Sequence, residues 1–385
     1  MRLLHTADWH VGRTIRGRAR ADEHRAALDE IARIARDRDI DVAIVAGDLF
    51  DTAAPSPESE RIVYRALLAL AESAQHVVVI AGNHDHPQRL SAVRPLLELG
   101  RVHVATQVER PHEGGVLTLD CGKERVRLAL VPFLSQRTII TADLLMEETA
   151  DKHVQEYADR YRRIMEALTA GFAADAVNVI VAHATVVGAR LGGGERDAHT
   201  IDDYHVATAV FPASAHYVAL GHVHRAQQLA GPCPIRYCGS PLQLDFGESG
   251  NEPRVLIVEA EPGRPARVEE VPITAGRRLR TVRGTMDALA LRAAKQDDDA
   301  YLRVIVDEPS RSGLADEVRA LFPNAVDVIV ARPDDEEHAH SPGLETVRRS
   351  PRELFDEFLK EKRVRAPTVS ALFAELIEAA HEEAR

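Results

Sequence analysis

The sequence predicts an α/β protein of layered sheets and helices, and three features carry that reading. Short apolar runs rich in β-branched residues recur through residues 1–275, stretches of helical periodicity separate them, and small polar motifs sit at their carboxyl ends. The runs RLLHT (2–6), VAIVAG (42–47) and VVVIAG (77–82) have the composition of strands buried on both faces. Between them, Ala26, Leu28, Ile31, Ile34 and Ala35 space one amphipathic helix, and Ile62, Tyr64, Leu67, Leu68 and Leu70 space another. Further strands are expected at 126–131, 177–182 and 216–220, then at 235–238, 254–259 and 268–273. Helices are expected over 153–172 and near 89–99.

The chain has 385 residues, more than the roughly 250–300 at which single cores stop growing, so several domains are expected. Beyond Ala275 two β-rich runs, YLRVIV and AVDVIV, are separated by a helix and preceded by another strand and helix. This predicts a small α+β domain over 276–332. The polar, charged stretch PDDEEHAHSPG marks 333–349 as a linker. Two amphipathic helices are then predicted within 350–385. Ser350, Pro351 and Glu353 resemble an N-cap, a first-turn proline and a capping-box acid ahead of Leu354, Phe355, Phe358 and Leu359. The second helix carries Val369, Leu372, Phe373, Leu376, Ile377 and Ala380.

An apolar fraction of 45% and a charged fraction of 28% are those of an ordinary globular protein. No apolar run approaches the roughly 20 residues that span a bilayer, so no membrane partner is expected. The start, MRLLHTADWH, lacks the basic region, apolar core and cleavage site of a signal peptide, so a cytoplasmic location is expected. Cys121, Cys233 and Cys238 are too few and scattered for a disulfide framework or a tetrahedral zinc site, and are read as packing residues. Two numbers stand apart. There are 18 histidines, and the formal charge is −12, which by itself argues against a nucleic-acid partner.

The strand ends explain part of the histidine excess. The first strand leads to Asp8-Trp9-His10, the second to Gly47-Asp48-Leu49-Phe50-Asp51, and the third to Gly82-Asn83-His84-Asp85. The strand at 177–182 ends at His183, and that at 216–220 in Gly221-His222-Val223-His224. Open α/β sheets place their sites at such ends. Five of them would bring carboxylate, amide and imidazole donors to one rim, as a two-metal site of Mn, Fe or Zn requires, with one carboxylate bridging. Asp8-x-His10 and His222-x-His224 put alternate side chains on one side of an extended segment. The glycines before Asp48, Asn83 and His222 allow the chain to turn sharply there.

The ordered set D-x-H, GD, GNHD, H and GHxH resembles the signature of the calcineurin-like metallophosphoesterases. Within them, LLHTADWHVG, VAGDLFD, VIAGNHD, TVVGA, ALGHVHRAQ and YCGSPLQLDF resemble the nuclease subunits that work with an SbcC-type SMC-like ATPase in double-strand break repair. The resemblance is strongest over 1–250. It implies a metallophosphoesterase β-sandwich flanked by helices, a small capping domain, and C-terminal helices that bind the ATPase coiled coil. It also implies a DNA exonuclease and endonuclease with two Mn²⁺ ions, nucleoid-associated, forming a homodimer within a heterotetramer. One ion would be held by Asp8, His10, Asp48 and His224, and the other by Asp48, Asn83, His183 and His222. His84 would assist the leaving oxygen, and Asp85 would orient a histidine.

Some relatives carry a further histidine just after GDLF, where this chain has Asp51; its role is open between supporting the ligands and supporting the fold. The metal motifs alone do not separate a nuclease from a phosphatase on small esters, nor from a DNA-end-binding scaffold that keeps its metals for structure. Arg13, Arg16, Arg18 and Arg20, crowded into the loop after the first motif, and Arg225 are candidate DNA contacts. Two divalent ions would add positive charge where phosphate must bind, which softens the objection from the net charge of −12. Alone, such a subunit is expected to hold DNA weakly and with marked salt sensitivity.

Overall fold

The computed structural model describes residues 1–122, 124–135, 138–139, 157–193, 195, 205–293 and 299–331, together with Phe355, Leu359, Val369, Leu372 and Phe373. The chain begins with β1 (Arg2–Thr6), α1 (Ala21–Asp37), β2 (Ile40–Val45), α2 (Pro57–Ser73), β3 (Ala74–Ile80), α3 (Pro87–Leu99) and β4 (Val102–Ala105). It continues through β5 (Val116–Cys121), β6 (Glu124–Val131), α4 (Tyr157–Thr169), β7 (Val177–His183), β8 (Thr185–Val186) and β9 (His205–Val206). Then come β10 (Tyr217–Gly221), β11 (Gln227–Leu229), β12 (Ile235–Tyr237), β13 (Arg254–Glu261) and β14 (Arg264–Pro272).

These strands form two six-stranded sheets, ordered β14-β13-β1-β2-β3-β4 and β11-β12-β10-β7-β6-β5. The central strands of each are parallel; antiparallel strands close both edges of the second sheet and the β13–β14 edge of the first, whose other edge, β4, is parallel to β3. The sheets pack face to face through Leu3, Val42, Ile44, Val78 and Ile80 of the first against Leu128, Leu130, Val179, Val181 and Ala219 of the second. On its other face the first sheet takes α1 through Ala27, Leu28, Ile31 and Ala35, and α2 through Ile62, Val63, Ala66, Leu67 and Leu70. The second sheet takes α4 through Tyr161, Ile164, Met165 and Leu168. Every central strand is therefore covered on both sides, which is why these segments lack a polar face. Ser56 caps α2 by accepting from Ser59 N, with Pro57 at the first helical position.

A smaller unit follows: β15 (Leu279–Gly284), α5 (Met286–Ala293), β16 (Tyr301–Val306), α6 (Leu314–Leu321) and β17 (Ala325–Val330). Its three strands are all parallel, so its helices lie in crossovers over a core of Leu289, Leu302, Val304, Val306, Leu314, Val318 and Phe322. It docks on the larger unit through a second cluster, Ile15 and Phe246 against Leu279 and Tyr301. The predicted linker at 333–349 lies outside the described residues, as do most of the C-terminal helices. Phe355, Leu359, Val369, Leu372 and Phe373 are helical, and the rings of Phe355 and Phe373 stack with centroids 3.8 Å apart. Among the described residues no helix is long and apolar enough to cross a membrane.

Two histidines outside the strand-end motifs are structural. His5 on β1 reaches across the sandwich to the Tyr217 hydroxyl on β10 at 2.9 Å, and His24 lies buried on α1 against the Arg20 carbonyl at 3.0 Å. Burial lowers their pKa values from 6.5 to about 3 and about 4, so the folded state keeps them neutral where the unfolded chain binds protons. Their contribution is complete above pH 6.5 and is lost as pH falls towards those values, by up to about 1.4 kcal/mol per pH unit for each. The melting temperature should therefore fall between pH 6.5 and 4.5, and His5→Asn should flatten that slope. An unchanged slope in the variant would contradict the assignment.

Candidate metal centre

The loops after β1 and β2 run on side by side beyond the strand ends: Asp8 N donates to Gly47 O, His10 N to Asp48 O and Val11 N to Leu49 O, each at 3.0 Å. This turns Asp8, His10 and Asp48 into the left-handed region, with φ of 52°, 46° and 53°, and His222 joins them at 95°. Asp and His tolerate that region better than most residues, at a cost on the order of 1–3 kcal/mol each, and such strain gathers at functional sites. The glycines act sterically as well as by flexibility. Gly47 has φ of 95°, and a Cβ there would strike the His183 ring, while a Cβ on Gly82 would overlap the Asp48 carboxylate.

Both sheets deliver donors to one buried rim. Asp48 lies at its centre: Oδ1 accepts from His84 N at 2.8 Å, and Oδ2 is 3.5 Å from His10 Nε2 and 3.4 Å from His183 Nε2. Asn83 Oδ1 is faced by two imidazoles, His183 Nε2 at 3.0 Å and His222 Nδ1 at 2.8 Å. On the other side His10 Nε2 and His224 Nε2 stand 3.0 Å apart. Asp8 Oδ1 accepts from His222 N at 2.8 Å, whereas Oδ2 is buried without a hydrogen-bond partner among the described residues. Three donor groups result, Asp8–His10–His224, Asp48–His183–His222 and His10–Asp48–His84, each with its ligand atoms within 4.8 Å of one another. Facing ring nitrogens and an orphaned buried carboxylate oxygen are what cations coordinated at these points would satisfy, and the mixed oxygen and imidazole set suits borderline divalent metals.

Burial opposes the charge on Asp48, but the surrounding imidazoles, His183 foremost, hold it ionised well below the usual carboxylate range. Burial likewise depresses His183 and His224, yet Asp48 lifts the former and Glu248 the latter, leaving each up at about 9. Burial pushes Asp8 up to about 7. His183 Nδ1 donates to Ala46 O at 2.8 Å and His224 Nδ1 to Glu248 Oε1 at 2.7 Å, so both rings turn Nε2 into the site.

Asp8, His10, Asp48, Asn83, His183, His222 and His224 thus come together, and His84 stands beside them, edge-on to His10 with centroids 4.5 Å apart. Asp85 differs from expectation. Its oxygens accept from Gly82, Leu49 and Phe50 N–H, holding the ligand loops rather than orienting a histidine. That orienting task falls to Asp51 and Glu248. Asp51 Oδ1 lies 3.6 Å from His10 Nδ1, and its carbonyl accepts from His84 Nδ1 at 2.7 Å. Sequence reading missed Glu248, and Glu195, which accepts from His224 N at 3.0 Å; a lone acid in a turn carries no spacing signal.

The arginines divide. Arg20 is 2% exposed and binds Glu23 and the carbonyls of Gln243 and Arg277, so it is no DNA contact. Arg16 is committed to Asp327 of the small unit at 2.8 Å, and Arg13 to Asp51 at 3.2 Å. Arg18 and Arg225 are exposed.

A buried carboxylate shared by two imidazole-rich donor groups, at the carboxyl ends of two facing sheets, is the arrangement of a metallophosphoesterase-type centre. Residues 1–226 match the family described as calcineurin-like phosphoesterase, and residues 275–363 one described as type 5 capsule protein repressor C-terminal domain. The chain is 37% identical over 288 residues to SbcD, the D component of the SbcCD nuclease, of Bacillus subtilis, spanning 72% of this chain and 71% of that protein. It is 32% identical over 382 residues to the SbcD protein of Rhodobacter capsulatus, spanning 92% and 93%. It is 34% identical over 290 residues to that of Escherichia coli K12, spanning 71% and 69%. The chain belongs to the calcineurin-like phosphoesterases and, within them, to the SbcD family.

Two outcomes follow from the geometry. A cation must displace protons from His183 and His224, so uptake of a divalent metal should release protons and tighten as pH rises towards about 9. Calorimetry in buffers of different ionisation enthalpy counts them, and an affinity independent of pH between 6.5 and 8.5 would contradict this arrangement. Arg20→Ala should destabilise by about 3 kcal/mol in urea unfolding, because it strands a buried acceptor and Glu23, while Arg18→Ala should stay within about 0.5 kcal/mol. Equal effects would refute the division.

Proposed function

We propose that the chain is a metal-dependent DNA nuclease that works with an SbcC-type ATPase. The observation that carries this is the pair of buried donor groups joined through Asp48. Asp8, His10, Asp48 and His224 would hold one metal, and Asp48, Asn83, His183 and His222 the other, with Mn²⁺ as the resident ion. When bound, the pair supplies Lewis acidity at a phosphodiester and an activated water.

The chain's own residues do the rest. Asp48 stays ionised and holds the loop of His84 through the His84 N–H. His84 is fixed by its Nδ1–H bond to the Asp51 carbonyl, which leaves Nε2 as the atom that donates to the leaving oxygen. Asp51 steadies His10, and Asp85 fixes the backbone of the two loops. Phe133 stacks on His222 with centroids 5.9 Å apart and helps keep water from the ligand face.

The small unit acts as a capping domain, and exposed Arg18 and Arg225 are the remaining arginine candidates for the DNA backbone. The activity would comprise exonuclease action on duplex ends and endonuclease action on hairpins. The C-terminal helices are the docking element for the ATPase coiled coil. Leu68 of α2 and Leu96 and Leu99 of α3, 46%, 70% and 84% exposed, offer the apolar face for a homodimer within a heterotetramer. The protein would act in the cytoplasm at the nucleoid.

Purified protein with Mn²⁺ should cleave linear duplex and hairpin DNA, more strongly with the ATPase and ATP, and should lose DNA binding steeply with salt. His84→Gln should lower cleavage by about 10²–10⁴-fold while Mn²⁺ binding is retained. Turnover of bis-nitrophenyl phosphate alone, even with the ATPase present, would replace this reading with a small-ester phosphoesterase, and full activity in His84→Gln would remove His84 from the chemistry.

A further inference from the structure

Glu248 lies in the turn between β12 and β13, is 1% exposed, and uses both carboxylate oxygens. Oε1 accepts from His224 Nδ1 and Oε2 from Leu244 N, each at 2.7 Å. Its main-chain carbonyl accepts from Gln243 Nε2 at 3.1 Å, and the same amide nitrogen reaches the carbonyls of Ser249 and Asn251 at 3.1 and 2.8 Å. The oxygen of the same amide faces the small unit. Gln243 Oε1 accepts at 2.6 Å from Leu279 N, the first residue of β15, while the Gln243 carbonyl accepts from Arg20. Phe246 of the same turn packs with Ile15, Leu279 and Tyr301 and lies under the Arg303 guanidinium at 4.5 Å.

We infer that Glu248 is a positioning residue for the metal centre and that, through Gln243, it ties the His224 half of that centre to the docking of the small domain; the inference rests on the two-metal reading above. A buried carboxylate on Nδ1 fixes the tautomer and direction of His224, turns the Nε2 lone pair into the site and makes it a better donor. The turn that carries Glu248 has only one short helical turn of its own, over Phe246–Glu248, so its shape depends on the three carbonyls gathered by Gln243. Those bonds in turn depend on β15 being in place. The coupling is one-sided. His183 closes β7, His222 directly follows β10 and Asn83 lies in the loop after β3 that Asp85 pins, whereas the His224 ring is supported from the turn on which the small domain sits. Movement of the small domain would therefore loosen one metal position and spare the other.

Mn²⁺ titration of the full chain, followed by the electron paramagnetic resonance signal of the free ion, tests this directly. Wild type should take two ions. Glu248→Ala should weaken one of them by about 10–100-fold and leave the other as in wild type. Glu248→Gln keeps an oxygen for His224 but cannot accept from Leu244 N with its amide nitrogen, so it should weaken the same ion less and remains informative if the alanine variant fails to fold. Tyr301→Ala, in the dock and remote from the ligands, should weaken that ion in the same direction. Two ions bound as in wild type by both Glu248 variants, or equal loss of both ions, overturns the positioning role, and wild-type affinities in Tyr301→Ala overturn the coupling. Fewer than two ions in the wild-type chain overturns the two-metal reading itself.

Discussion

A single carboxylate, Asp48, is the constraint around which the rest of the site is arranged. It sits just past the end of β2 in a left-handed backbone conformation, with one oxygen on the His84 amide and the other facing His10 from its own sheet and His183 from the opposite one. A buried charge of this kind is tolerable only when paired on every side. The two sheets must therefore meet at the distance that brings His183 within reach of Asp48. The apolar packing of Val42, Ile44 and Ile80 on Val179 and Val181 sets that distance, so the sandwich core and the site are one construction.

Around Asp48 the supports are graded by rigidity. Among the candidate donors His183 closes β7 within its sheet and His222 directly follows β10, while Asp85 accepts three backbone N–H bonds that pin the loops after β2 and β3, the second of which carries Asn83. His10 and His224 instead rest on side chains carried by loops, Asp51 and Glu248. Rigid ligands give precise geometry, and loop-borne supports give the molecule a place where a neighbouring domain can be felt.

The electrostatics also look different once the fold is known. A formal charge of −12 weighs little at the rim, because the carboxylates there are buried among imidazoles and much of the arginine around them is already used. Arg16 crosses between the two units to Asp327, Arg303 crosses to the ring of Phe246, and Arg20 is paired with Glu23, which accepts from the Tyr301 hydroxyl of the small unit, so part of this arginine serves the docking. The histidine excess resolves similarly: His5, His24 and the His76–His103 pair are packing residues, separate from the strand-end cluster.

The strands and ligands were legible in the sequence because both signals are local. Period and β-branching mark the strands, and a glycine followed by a carboxylate, amide or imidazole marks most strand ends, so the motifs carrying Asp8, His10, Asp48, Asn83, His183, His222 and His224 could be marked from the residues, while the choice of these seven within them came from the resemblance to the calcineurin-like metallophosphoesterases. The supporting residues could not. Glu248 and Gln243 occupy an irregular turn, and their partners, His224, Leu279 and Arg20, lie up to 223 residues away, so only packing brings them together. The same applies to Arg20, which looks like a surface arginine in a basic loop and is buried because α1 and β15 close over it, and to Asp85, whose neighbours in sequence are ligands while its contacts are backbone amides. Sequence determines which groups are presented at strand ends; the mutual placement of two sheets and a docked domain decides which group holds which, because hydrogen bonds and buried charges depend on distances the chain acquires only on folding.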